Sequence, residues 1–148
     1  MERAHPSPTL ASVLTSPQRA FLDQPLFAAL ATTDDDGAPR QAVIWYRREP
    51  DDRILINSRV GRRWPSNLVR DGRVALAVTS PDGYSWIGLT GRVVETVDGR
   101  DAALADILAL NDRYHPEGGD PDDLAAFKAY PRISFRVAIE RVHDHLED

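Results

Sequence analysis

The chain contains no cysteine in its 148 residues, which removes disulfides, thiolate nucleophiles and cysteine-ligated zinc or iron–sulfur centres. Any redox chemistry must then be carried by an organic cofactor or haem. Lysine is almost absent too, 17 of the 18 basic residues being arginine. With abundant Ala, Asp, Pro and Val this fits a GC-rich bacterial coding sequence and needs no functional cause. No apolar run approaches the roughly 20 residues that span a bilayer, and the opening MERAHPSPTLASVL has no basic region leading into a continuous apolar segment. A cytoplasmic protein with no membrane partner is the expectation. There is no Ser/His/Asp nucleophile signature and no Walker-type glycine loop, so hydrolysis and nucleoside-triphosphate chemistry have no support.

What is present is ordinary globular composition, 42% hydrophobic and 28% charged, with a mean hydropathy of -0.40. The length suits one domain, expected over residues 16–148 behind a loose Pro- and Ser-containing arm over 1–15. The net charge of -5 argues against nucleic acid as the main partner, but its distribution is uneven. Residues 40–73 hold nine arginines and four acids, a local +5 that leaves -10 for the rest.

Ser16-Pro17 reads as an N-cap and first helical position for a short helix carrying Phe21 and Leu22. Leu26–Thr33 and Arg40–Arg48 read as a hairpin closed by the Asp34–Gly37 turn. Arg53–Ser58 is the third strand, Arg62–Asp71 a short helix, and Arg73–Ser80 and Tyr84–Val97 complete a meander of five strands. Asp98–Tyr114 and Asp120–Tyr130 read as helices, and Ile133–Val142 as the sixth strand. Six mostly antiparallel strands with short helices predict a mainly-β α+β fold, a small barrel with helices over its open edge.

The order of certain segments resembles a known family. Phe27–Thr33 followed by Asp36-Gly37-Ala38-Pro39, then Ser58-Arg59-Val60-Gly61-Arg62-Arg63, Asn67–Val74 and Gly91-Arg92-Val93 are similar to the pyridoxamine 5'-phosphate oxidase-like clan, over roughly residues 16–143. The resemblance implies a homodimeric, six-stranded split β-barrel that binds a flavin-type cofactor at the dimer interface. One branch of the clan uses FMN and another the deazaflavin coenzyme F-420, whose longer anionic tail calls for an extended basic groove. The arginine-rich segment favours F-420, with FMN as the alternative. The implied activity is hydride transfer to a small unsaturated substrate. Other readings are an FMN-dependent oxidoreductase, or a non-catalytic barrel that carries flavin or haem. The true oxidases end in a longer segment with an Arg-Leu-x-Pro motif; this chain ends Leu146-Glu147-Asp148, so that specific activity is not expected.

A turn carrying Arg62 and Arg63 into a helix N-terminus offers guanidinium groups beside free backbone N–H donors, which is phosphate-binding chemistry. An ordinary solvated basic turn is the bland alternative. The resemblance implies contacts to cofactor ring or phosphate from Asn57, Ser58, Arg62 and Asn67. Trp64 stands where many deazaflavin-binding relatives have lysine; it either stacks on the cofactor or packs, with Arg63 replacing the missing charge. Trp86 is a candidate for the cofactor pocket or the dimer interface, against plain packing. No dedicated catalytic side chain and no metal site is expected, His143 and His145 being read as a solvated tail.

Overall fold

Apolar residues alternate along Arg73–Thr79, where Val74, Leu76 and Val78 are buried while Arg73, Ala77 and Thr79 are exposed. This period of two puts one face of the strand on a core and the other outward. The same alternation recurs in Ala28–Thr33, where Ala28, Leu30 and Thr32 are buried. A computed structural model describes residues 13–147. Its elements are α1 (Ser16–Leu22), β1 (Ala28–Thr33), β2 (Pro39–Ile44), β3 (Arg47–Arg48), β4 (Ile54–Arg59), α2 (Arg63–Arg70), β5 (Arg73–Thr79), β6 (Trp86–Val97), α3 (Arg100–Tyr114), α4 (Pro121–Ala129) and β7 (Arg132–His145). Among the described residues no helix is long and apolar enough to cross a membrane.

The strands form one antiparallel sheet in the order β2-β1-β5-β6-β7-β4-β3. Leu30 of β1 and Ile56 of β4 lie four strands apart in that order, yet both belong to the main core with Leu76, Leu89 and Phe135. The sheet is therefore curled around its buried face. Two register shifts in β6, at Thr90/Gly91 and Val93/Glu95, mark where it bends against β7. At Gly91 the chains approach so closely that a Cβ would lie 2.1 Å from the Ala138 carbonyl oxygen.

Strand β4 is covered on both faces. Ile54 and Ile56 enter the main core, while Leu55 meets Ile107 and Leu110 of α3 in a second cluster. This double burial brings α3 and α4 against the end of β4 that carries Asn57 and Ser58.

Several expectations need correction. The structure has seven strands, not six, because the expected strand Arg40–Arg48 breaks at Trp45-Tyr46. Tyr46 is fully buried and its hydroxyl donates to the Leu22 carbonyl at 2.7 Å, turning the chain inward so that Arg47 and Arg48 pair with β4. The meander is also overturned. β4 pairs with β7 and leaves β2 behind, and β5 returns to pair with β1. Helix α1 is capped by Thr15, one residue earlier than expected, in a reciprocal box with Gln18. Of the arm expected over 1–15, residues 1–12 lie outside the described residues, and Leu14 is buried in the core. Strand β7 runs through His145, so His143 and His145 belong to the sheet.

Candidate functional site

A cavity of about 450 Å³ opens where β4 ends, α2 begins and α3 and α4 fold over the sheet. Its apolar wall includes Phe27, Trp45, Trp64 and Phe127, and its polar wall is Asn57, Ser58, Arg62, Asp123 and Arg132. Trp45 stacks on Tyr114 at 5.0 Å and meets Phe127 edge-on at 6.3 Å, so this wall is braced from behind. Trp64 is buried and packs on Phe135 at 6.0 Å.

Most of the arginine-rich segment has a structural role. Arg40 pairs with Asp34 at 3.1 Å, Arg47 with Glu49 at 2.6 Å, Arg48 with Asp23 and Asp52 at 2.9 Å each, and Arg73 with Asp71 at 2.7 Å. Arg53 lies within 3.5 Å of Asp51 and 3.7 Å of Glu95. Arg70 donates to the Asn67 side chain and to the Thr33 carbonyl. Arg63 lies 3.4 Å from Asp34, and Arg59 and Arg62 remain, without a carboxylate partner among the described residues.

Arg132 joins them. It is the direct cross-strand partner of Arg59, and like charges opposite each other on neighbouring strands are destabilising. Arg59 lies over the Tyr130 ring at 3.5 Å and Arg132 near the Phe127 ring at 5.2 Å. Burial, with Arg62 and Arg59 adding to it, pushes the Arg132 guanidinium down to about 10. Asp123 lines the same cavity but is within ion-pair distance of none of the three arginines, so their guanidinium groups have the chemistry to take an external anion. Arg62 is also the N-cap of α2, whose N-terminus receives no side-chain cap, so backbone donors of the first turn face the same region.

The residues singled out in sequence divide into three groups. Asn57, Ser58, Arg62 and Trp64 meet at the cavity. Arg63 and Asn67 hold the β1–β2 turn. Asn67 donates to Thr32 Oγ1 at 3.1 Å and Asp34 Oδ1 at 2.8 Å, and Arg63 approaches Asp34 at 3.4 Å. Neither lines the cavity. Trp86 lies elsewhere, edge-on to His143 at 5.5 Å, near a second cavity of about 220 Å³ that His143 lines with Gly88 and Gln41. Arg132 escaped the sequence reading because it precedes the apolar pattern of the last strand; only the register against Arg59 reveals it. Among the described residues no group of three or more His, Asp or Glu is arranged to hold a metal.

A family model described as pyridoxamine 5'-phosphate oxidase matches residues 14–145. The chain belongs to that family. Among solved structures, this pyridoxamine 5'-phosphate oxidase family member is similar to an F420 reductase, with TM-score 0.75 and 25% identity over 88% of this chain and 98% of the other. A conserved hypothetical protein of Mycobacterium tuberculosis superposes with TM-score 0.70 at 20% identity, over 91% of this chain and 86% of that one. An FAD- and haem-binding protein of Mycobacterium smegmatis gives TM-score 0.66 at 21% identity, over 93% and 73%. No curated protein matches the chain. The mainly-β split-barrel fold is thus that of the flavin-related oxidoreductases of this family, here with seven strands.

Proposed function

We propose that the protein is a coenzyme F-420-dependent reductase that passes a hydride to a small unsaturated molecule bound in the aromatic-walled cavity. The observation that carries this reading is that Arg62 and Arg132 line that cavity, with Arg59 opposite Arg132 on the neighbouring strand, and none of the three has an ion-paired carboxylate among the described residues. A fold that balances most other arginines of the segment with a carboxylate, yet sets Arg59 and Arg132 at directly paired positions on neighbouring strands, is built for an external anion. The basic strip also continues past the cavity, for Arg100 and Lys128 line a crevice with Tyr130 and Arg132. A bare phosphate has no use for that extension, whereas an anionic tail beyond the phosphate does. This supports F-420 over FMN, as does the similarity to an F420 reductase.

The bound deazaflavin would supply the hydride chemistry. The chain's own contribution is binding by Arg59, Arg62 and Arg132, orientation by the rigid strand ends, and exclusion of water by Trp45, Trp64 and Phe127. The proposal includes a homodimer. Phe27 and Val43 are 58% and 74% exposed at the cavity, a pattern that a second copy would bury while completing the wall.

The test is equilibrium titration of the purified protein with F-420 and with FMN, followed by fluorescence. Tight F-420 binding that Arg62→Ala weakens about tenfold or more supports the reading, the loss of one charge-assisted contact being worth roughly 1.5–3 kcal/mol. Binding of FMN alone would reassign the cofactor, and binding of neither would overturn the site.

A further inference from the structure

The polar wall of the cavity is held from behind by groups that do not line it. Arg132 Nε donates to Asn57 Oδ1 at 3.0 Å. Asn57 Nδ2 donates to Ser134 Oγ at 2.8 Å and to the Ala103 carbonyl at 2.9 Å. Ser134 Oγ donates to Asp106 Oδ2 at 2.7 Å. These bonds run in one direction, from guanidinium to carboxylate, across β7, β4 and α3.

We propose that Asp106, Ser134 and Asn57 form a positioning relay that fixes the Arg132 guanidinium for anion binding without setting a carboxylate against it. The inference rests on the anion-site reading above and adds its internal support. The direction of the chain is determined by its ends. Asp106 can only accept, so the Ser134 hydroxyl must donate to it and present its oxygen to Asn57. Asn57 must then turn its amide NH₂ toward Ser134 and Ala103 and its carbonyl toward Arg132. The reverse orientation would set donor against donor at Arg132 and acceptor against acceptor at Ala103.

The arrangement solves a conflict in the site. A carboxylate touching Arg132 would hold it still but would compete with the ligand for the same donors. Here Nε is engaged by a neutral amide, and the two Nη groups donate to no protein group among the described residues. They stay available for a two-pronged contact with a phosphate. Asp106 is itself near a second cation, Arg136, at 3.6 Å, so its charge is shared. Asn57 and Ser134 are 8% and 0% exposed, where water cannot replace a lost bond cheaply. Fixing the guanidinium in advance lowers the ordering cost of binding.

The experiment uses inorganic pyrophosphate as the anion, so that it does not depend on the deazaflavin. Calorimetric titration of the full chain should show Ser134→Ala and Asp106→Leu weakening pyrophosphate about tenfold. Asp106→Asn, which keeps an acceptor for Ser134, should stay within about twofold of the unaltered protein. In parallel, the Arg132 Nε–H resonance, assigned by its loss in Arg132→Lys, should exchange with solvent faster in Ser134→Ala than in the unaltered protein. A purely structural role predicts lower melting temperatures with unchanged affinity and exchange, and that result would overturn the relay. So would equal weakening by Asp106→Asn and Asp106→Leu. Pyrophosphate binding with the expected pattern but no F-420 binding keeps the relay and removes the cofactor reading. F-420 binding with equal pyrophosphate affinity in all variants does the reverse.

Discussion

Asp34 takes donors from three directions: Arg40, Asn67 and Arg63. Hydrogen bonding from Arg40 first, then from Asn67, holds its carboxyl at about 2, below its ordinary value of 3.8. A carboxylate depressed on folding contributes stability that is present above the unfolded value and is lost as pH falls toward the folded one. The melting temperature should therefore fall between about pH 4 and pH 2, and Asp34→Asn should flatten that stretch of the curve while lowering stability at neutral pH. An unchanged acid limb in the variant would show that the turn carries none of the dependence. Asp71, held at about 2 chiefly by its hydrogen bonds from Arg73, should account for part of what remains. This clasp also explains what residue types alone left open. Arg63 and Asn67 have phosphate-binding chemistry, but whether a guanidinium meets a phosphate or an Asp three elements away depends on tertiary contacts. Arg62, one residue from Arg63, has no such neighbour and faces the cavity.

Element by element, strand existence was legible because the alternation of buried and exposed residues in β1 and β5 is strong. Element ends were less so. The break at Trp45-Tyr46 is invisible as periodicity, since both residues favour strands and only the Tyr46 hydroxyl bond to Leu22 reveals the inward turn. Glycines in β6 carry a sharper message. A Cβ at Gly88 would lie 2.4 Å from His143 Nε2, the tip of a side chain that can rotate away, whereas one at Gly91 would meet the Ala138 backbone oxygen. Gly91→Ala should therefore destabilise by about 3 kcal/mol or more and Gly88→Ala by about 1 kcal/mol or less, as read by urea unfolding. Equal costs would mean that the β6–β7 bend at Gly91 relaxes freely.

At the scale of the whole molecule, the number of strands was nearly recovered and their order was not. A meander keeps sequence neighbours together, but β4 is buried on both faces and needs α3 on one side and β7 beside it, partners that lie far along the chain. The candidate site suffers the same blindness, for its five polar residues come from β4, the α2 start, α4 and β7, and the arginine-rich segment that drew attention supplies only part of it. The proposed dimer is tested by sedimentation equilibrium, where a species near twice 16.5 kDa is expected and a monomer at micromolar concentration would count against it. β7 lies between β6 and β4 and pairs with both. Because strand order places it there, a ribosome that has released everything up to Pro131 has delivered two sheet fragments with no strand to join them, one ending at β6 and the other consisting of β4 and its short partner. Both expose unpaired edges of the kind that recruit other chains. β7, made after both fragments, thus joins the two halves and brings Arg132 opposite Arg59, so that the proposed anion site comes into being only once β7 has paired.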